Sequence, residues 1–305
     1  MAEEGSPTSG WEERTRLLPF ASHFCELDGG HRLHYLDEGR GKIALLLHGN
    51  PTWCFLWRDL VGELRTFRRV LVPDHLGCGH SDRPRPGDYD FTLEQRVRDL
   101  DQFLGAVAPG EVVDLVVHDW GGLIGFGWGV RHPGRIRSLV VLNSAAFTVP
   151  ESSRLHWVLR WCRRSPIAKG AMRRWNAFLH GALWLGARKR LPAWVKRGYR
   201  APYRRAADRE AIVRFVEDIP LGPADPSYRF LRETEDLLPQ LRDRPLLLCW
   251  GGRDFIFDGA FLERWRRAFP EAEVALFPEA GHYVLEDAGK AALERICKFL
   301  ERVDA

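Results

Sequence analysis

The sequence predicts an α/β protein: a mostly parallel sheet covered by helices on both faces, with a helical cap inserted into it. Short apolar, β-branched runs alternate with longer helical stretches along most of the chain, the pattern of repeated strand–helix–strand units. Those runs are apolar at consecutive positions instead of every second one, as strands buried on both faces must be. Between residues 147 and 232 the strand signal stops. Residues 1–19 therefore read as a flexible tail, 20–146 and 233–305 as the α/β core, and 147–232 as the cap. A chain of 305 residues, 45% of them hydrophobic, can fill such a core as one unit.

Taken in order, residues 21–38 alternate apolar and polar around Asp28-Gly29-Gly30, a hairpin signal. Ile43–Leu47 is a short buried strand that runs into His48-Gly49-Asn50-Pro51-Thr52-Trp53, and Arg69–Pro73 is the next. Thr92 with Gln95 forms a capping box that opens a helix reaching Val107. A strand at 112–117 stops at His118-Asp119, and a packed helix at 123–130 ends at His132-Pro133. Another strand covers 137–142. The cap consists of Trp/Arg/Leu-rich helical pieces broken by Pro166, Pro192, Pro202, Pro220, Pro223 and Pro226. Sheet logic returns with a strand at 245–250, a helix at 259–269, the strand Glu273–Phe277 and a last helix from 287 to 302.

The chemistry centres on residues 113–122, Val-Asp-Leu-Val-Val-His-Asp-Trp-Gly-Gly: a buried strand, a very tight turn and a helix start. The two glycines after the turn let strand and helix backbones approach closely. Asp119 at the turn reads either as a nucleophile that forms an ester with carbon, or as a buried helix-capping aspartate. His48, Asp119, Asp254 and His282 all fall just past a strand, and open α/β sheets bind ligands at the carboxyl ends of their strands. His282, the one histidine in the C-terminal third, is the candidate base. Asp254 would hold its imidazole; Asp258, four residues on, is the rival, and only Asn143 and Ser144 follow the strand at 137–142. The backbone N–H groups of Asn50 and Trp120 are candidate oxyanion donors. Their side chains, an amide and an indole, can converge on an anion; the plainer readings are a loop-bonded Asn50 and a core-packed Trp120.

Together, His48-Gly49-Asn50-Pro51-Thr52-Trp53, Asp74…Gly77-x-Gly79-x-Ser81-Asp82, His118-Asp119-Trp120-Gly121-Gly122, Asp254 and Gly281-His282 resemble the haloalkane dehalogenase family of the α/β-hydrolases, over nearly all of the chain after residue 20. The resemblance implies Asp119 as nucleophile, Asp254 and His282 as its triad partners, and Asn50 with Trp120 as the groups that hold a leaving anion. An acid after the penultimate strand, with the cap segments 197–203 and 214–223, resembles the third subfamily, which overlaps the β-lactone decarboxylases of bacterial long-chain olefin biosynthesis. That implies conversion of a cis-3-alkyl-4-alkyl-oxetan-2-one to a cis-alkene and carbon dioxide, with Asp119 attacking either the ring carbon bearing oxygen or the carbonyl. Hydrolytic dehalogenation by the same residues is the alternative. Epoxide hydrolysis is a third, for which Tyr199, Tyr203 and Tyr228 would supply paired cap tyrosines. A non-catalytic scaffold on this fold is a further reading, against which every catalytic position is filled.

The net charge of +4 is uneven. Residues 151–232 hold 19 Lys+Arg against 6 Asp+Glu, a balance of +13 that leaves −9 for the remainder. With Trp157, Trp161, Trp175, Trp184 and Trp194, this segment reads as a solvated face or as a surface for anionic lipid or an acidic upstream enzyme. No nucleic-acid motif accompanies the charge. The glycine-rich stretches lack the G-x-G-x-x-G fingerprint, and no metal or other cofactor is called for. Six scattered cysteines without a C-x-x-C pair give neither a zinc site nor a disulfide framework. Residues 1–11 are acidic and Ser/Gly-rich, without an apolar leader. The expectation is a cytoplasmic enzyme for a hydrophobic small molecule, with peripheral membrane contact through the basic cap.

Overall fold

A computed structural model of the protein describes residues 18–153 and 157–303; residues 1–17 of the expected tail lie outside them. Eight strands form one sheet: β1 (Ser22–Glu26), β2 (Arg32–Gly39), β3 (Ile43–Leu47), β4 (Arg69–Pro73), β5 (Val113–Asp119), β6 (Ile136–Ser144), β7 (Leu246–Gly251) and β8 (Glu273–Phe277). Their spatial order is β1-β2-β4-β3-β5-β6-β7-β8. β1 pairs with β2, and β2 with β4, antiparallel; every later pairing is parallel.

The consecutive apolar residues of the inner strands divide between two cores. Leu45, Leu47, Leu115, Val117, Leu139 and Leu248 pack on one face. Ala44, Leu46, Val116, Val140, Leu142 and Leu247 pack on the other. This is the period-two alternation of a sheet with no wet face. Helices α1 (Arg58–Leu64), α2 (Leu93–Val107) and α3 (Trp120–Gly129) lie between the early strands, and α10 (Gly259–Ala268), α11 (Val284–Ala288) and α12 (Lys290–Arg302) follow β7 and β8. Between β6 and β7 the described residues form helices and no strand: α4 (Trp157–Arg164), α5 (Pro166–Trp175), α6 (Ala177–Leu185), α7 (Ala193–Arg200), α8 (Glu210–Glu217) and α9 (Tyr228–Leu237). At the foot of β5, the buried Asp114 accepts from Arg68 Nε (3.0 Å), from Arg137 Nε (2.8 Å) and Nη2 (2.7 Å), and from Ser138 Oγ (2.6 Å).

Local rules explain most boundaries. Ser165 accepts a hydrogen bond from Ala168 N and Pro166 starts α5, so this proline opens a helix where the sequence suggested a break. Thr92 does accept from Gln95 N, but the Gln95 side chain donates to Asp99 at 2.9 Å instead of returning to Thr92, so the capping box is only half formed. The single helix expected at 287–302 is two, α11 and α12, because Gly289 at φ 49° interrupts it. No helix among the described residues is long and apolar enough to cross a membrane.

Candidate active site

The close of β5 onto α3 makes the site. Asp119 sits at φ 52°, ψ −126°, a strained backbone for a residue with a side chain. The turn has no slack: a methyl group on Gly121 would run into the Leu47 carbonyl, one on Gly122 into Ser144, and one on Gly49 into the Asp119 carboxylate itself. The Ser144 hydroxyl donates to the Asp119 carbonyl and braces the turn from β6.

The Asp119 side chain makes no helix-capping bond to α3. Its Oδ1 accepts from Asn50 N at 2.7 Å, and the Trp120 N–H also supports the carboxylate. The two backbone donors expected to form an oxyanion hole thus both support the aspartate carboxylate, Asn50 N on Oδ1. The other oxygen, Oδ2, faces His282 Nε2 at 3.7 Å. On the far side of that ring, Nδ1 lies 2.8 Å from Asp254 Oδ2. Asp119, His282 and Asp254 are therefore together and buried, with Asn50 and Trp120 beside them.

Electrostatics follow from that burial. Desolvation lifts the Asp119 carboxyl above the ordinary carboxylate value, against the pull of His282 and the two N–H donors. For His282, burial alone would lower the imidazole, but Asp254 and then Asp119 outweigh it and raise it. His118, beneath His282, donates from Nε2 to the His282 carbonyl at 2.9 Å, and burial keeps its own imidazole far below the usual value.

Asp254 is itself held. Its Oδ1 accepts from Ile256 N at 2.7 Å, and its Oδ2 from Asn143 Nδ2 at 2.9 Å. Asn143, at φ 34° on the end of β6, ties to β7 by accepting from Gly251 N at 2.7 Å. The sequence placed Asn143 only as a residue standing where an acid could be; its role in positioning Asp254 was not foreseen. Nor was Phe257, whose ring stacks on His282 at 5.8 Å between centroids and 15° between planes. The rival Asp258 caps α10 by accepting from Ala260 N and is not part of the triad. Tyr199 and Tyr203 do not line the cavity. Tyr199 donates to Glu286 at 2.6 Å and Tyr203 to the Thr52 carbonyl at 3.2 Å, while Tyr228 heads α9 away from the lining. The paired tyrosines that epoxide hydrolysis would need are thus missing from the pocket.

Asn50, Asp119 and Trp120 face a cavity of about 690 Å³ whose other described lining residues are apolar, among them Leu123, Phe147, Val149, Val216, Ile219 and Leu231. A few placed polar groups in an apolar cleft are what a small-molecule site requires. The Asn50 side chain donates from Nδ2 to the Ile212 carbonyl at 3.2 Å, so the inter-strand helices are tied directly to the reacting centre. A second apolar cavity of about 780 Å³ adjoins the first; Leu159, Phe178 and Ile256 line both. Neither Cys54 nor Cys78 lines them. Away from both, His34, Cys54 and Asp74 bring possible metal-binding atoms together. Asp74 there accepts from Cys54 N, His80 N and His34 Nδ1, and His34 Nε2 meets Ser22, which makes the cluster a strand-tying hydrogen-bond hub.

A parallel sheet with an aspartate on the elbow after β5, an acid after β7 and a histidine after β8 defines an α/β-hydrolase of the aspartate-nucleophile type. The chain belongs to the α/β-hydrolase fold family, whose sequence profile matches residues 44–289, and within it to the branch that holds haloalkane dehalogenases and cis-3-alkyl-4-alkyloxetan-2-one decarboxylases. It is 44% identical over 280 residues to the "Cis-3-alkyl-4-alkyloxetan-2-one decarboxylase" of Xanthomonas campestris (90% of this chain, 93% of that protein). It is 40% identical over 289 residues to the protein of the same name from Shewanella oneidensis (94% and 91%). The "Haloalkane dehalogenase 2" of Mycobacterium tuberculosis is 31% identical over 274 residues (90% and 92%). Among solved structures, the haloalkane dehalogenase DatA from Agrobacterium tumefaciens C58 superposes with a TM-score of 0.82 at 25% identity, covering 93% of this chain and 97% of that one.

Proposed function

We propose that this protein is a β-lactone decarboxylase that turns cis-3-alkyl-4-alkyl-oxetan-2-ones into cis-alkenes and carbon dioxide. The observation that carries the reading is the Asp119 carboxylate, with Oδ1 held by Asn50 N and Oδ2 facing His282, in a cavity that is apolar beyond Asn50 and Trp120. The two decarboxylases that match over nine-tenths of the chain, at higher identity than the dehalogenases, support it.

The geometry suits a two-step route. With Oδ1 held by the Asn50 N–H, Oδ2 attacks the ring carbon that bears oxygen, from the side opposite the carbon–oxygen bond. That bond breaks and its electron pair leaves on the ring carboxylate, which the Asn50 and Trp120 side chains receive. Attack from behind puts the new Asp119 ester anti to this carboxylate. The carbon–carbon bond to the carboxylate then breaks, its electrons form the double bond, and Asp119 departs as a carboxylate while carbon dioxide is released. Inversion followed by anti elimination leaves the two alkyl groups cis. No water and no oxidant enter. Attack at the carbonyl would instead leave a β-hydroxyacyl anhydride of Asp119, which has no comparable route to carbon dioxide. His282, held on Asp254, faces the oxygen that carries charge before attack and after elimination, and its cationic form stabilises both.

Purified protein offered a synthetic cis-dialkyl β-lactone and, separately, 1-bromohexane tests the assignment, with Asp119→Ala as control. Alkene from the lactone, lost in the variant, with little bromide release, is expected. Bromide and hexanol beside an untouched lactone would make the protein a dehalogenase.

We also propose that the helices between β6 and β7 rest on an anionic bilayer. Trp175 (69% exposed), Ile167 (80%) and Trp184 (80%) stand out on α5 and α6, with Arg164, Arg174, Arg188, Lys189 and Arg190 exposed nearby in sequence. Aromatic and basic side chains in this mixture favour an interface over bulk water. Co-flotation with phosphatidylglycerol-containing vesicles, weakened by salt and by Trp184→Ser with Ile167→Ser, is expected; no flotation at low salt would remove this proposal.

A further inference from the structure

The second apolar cavity adjoins the active site and takes no part in the chemistry described above. Three side chains separate the two spaces: Leu159 of α4, Phe178 of α6, and Ile256 in the loop after β7. All are apolar, and none makes a polar contact that would have to break for a hydrocarbon to pass. Beyond them, the second chamber is walled by α4, α5 and α6 with Cys162, Ala168, Ala171, Met172, Gly181 and Ala182. It opens at Trp161, Ile167 and Leu185, which are 51%, 80% and 42% exposed. Small residues on two facing helices leave the space, and exposed apolar side chains rim its mouth.

We infer that this second chamber is the binding site for one of the two alkyl chains of the substrate, the other lying in the chamber that contains Asp119; the inference rests on the β-lactone reading above. A cis-dialkyl four-membered ring carries its chains on adjacent carbons, so with the ring fixed at Asp119 each chain needs its own path away from the centre. One chain fills the chamber lined by Val149, Val216, Ile219 and Leu231. The second passes Leu159, Phe178 and Ile256 and ends near the exposed rim. The chamber accordingly sets how long that second chain can be, and a short-chained ring has no use for it.

Gly181 gives a clean way to fill it. It lines the second chamber but not the first, and a side chain begun there meets nothing within 4 Å. It stands inside α6, where any residue but proline is a better helix former than glycine. The experiment compares kcat/KM of the wild type, Gly181→Leu and Gly181→Phe on three cis-β-lactones: two methyl groups, one methyl and one nonyl, and two nonyl groups. Gly170→Phe is the control, since Gly170 is on α5, also has open space at its Cβ, and lines neither cavity. Expected is a fall of about tenfold or more on the dinonyl ring, larger for Phe than for Leu, since even one methylene gained or lost in an apolar pocket is worth that much. The dimethyl ring and the Gly170→Phe control should keep wild-type values, and the mono-nonyl ring should lose less than the dinonyl ring. Equal losses on all three lactones, or no loss on the dinonyl ring in either Gly181 variant, overturn the second-chain site while leaving the decarboxylase standing. A wild type that turns over none of the lactones removes the decarboxylase reading and this inference with it.

Discussion

Replacing His282 with glutamine separates the two chemistries that one centre can run. Hydrolytic dehalogenation needs His282 as a base, to direct water onto the alkyl–Asp119 ester. Decarboxylation needs no water, and His282 then acts only by its charge. From 3.7 Å, a cationic imidazole stabilises the Asp119 carboxylate by at most about 4–5 kcal/mol at an effective dielectric of about 20. Since about 1.4 kcal/mol is a factor of ten, the elimination step, which returns the charge to Asp119, should slow by no more than about a few thousandfold. Losing the cation also makes the buried Asp119 harder to ionise, so the acid limb of the pH–rate profile should move to higher pH and part of the rate return on the alkaline side. With 1-bromohexane the variant should release one bromide per protein and stop, with a hexyl group on Asp119. Rapid-quench bromide release, intact-protein mass and alkene by gas chromatography read out all of this. A covalent adduct that also accumulates from the lactone, with alkene limited to one turnover, would mean that a water-dependent step follows attack, and the water-free route would be wrong.

Asn50→Ala removes a side-chain donor for the departing carboxylate and should cost about a hundredfold to a thousandfold in kcat on the lactone, with a smaller change in KM; an unchanged kcat would take Asn50 out of the anion site. Asp218 is buried, accepts from Leu93 N and Ser227 Oγ, and has its carboxyl pushed up to about 6 by burial. The folded state therefore holds this proton more tightly than the unfolded chain, so stability is highest below about pH 4 for this group and falls as pH rises to about 6. Asp218→Asn should accordingly raise the melting temperature at pH 7.5 by an amount worth about 2–3 kcal/mol, and not at pH 4; thermal scans at both pH values check the sign. Asp114→Ala leaves Arg68 buried beside a vacated partner and should destabilise the fold by about 3–5 kcal/mol in urea titration; a change below 1 kcal/mol would mean that the network at the foot of β5 is not needed.

What was legible in the sequence were the features set by local chemistry. The doubly buried strands show as unbroken apolar runs, and the elbow shows because Asp119 is followed by two glycines that nothing larger can replace. Asp254 and His282 were found because each follows a strand, and the sheet then brings them to within hydrogen-bond distance. What escaped depends on contacts across sequence. Asn143 is an ordinary strand-end residue until β7 lies beside β6 and puts Gly251 and Asp254 within its reach. Phe257 reads as one more apolar loop residue. Tyr199 and Tyr203 were weighed for a cavity they turn away from, because Glu286 and the Thr52 carbonyl, far off in sequence, claim their hydroxyls. The helix Arg58–Leu64 carries a readable apolar pattern at Leu60, Val61 and Leu64, but it is short and contains a glycine.

The shared centre also explains why substrate fit, more than catalytic residues, decides the product. On the proposed route, attack by Asp119 leaves an alkyl ester whether the substrate is a lactone or a halide, and only a neighbouring carboxylate can then expel Asp119 without water. His282 remains close enough to direct a water if one enters, and hydrolysis would then give a β-hydroxy acid in place of the alkene. The described walls of the two chambers offer almost no polar group to hold such a water apart from those at the centre. Two long chains that fill both chambers keep the ester dry, and a dimethyl ring does not. The ratio of alkene to β-hydroxy acid should therefore rise with chain length in the wild type, while Gly181→Phe, by filling the second chamber itself, should raise it for short-chained rings. A ratio independent of chain length would place the exclusion of water in the protein alone.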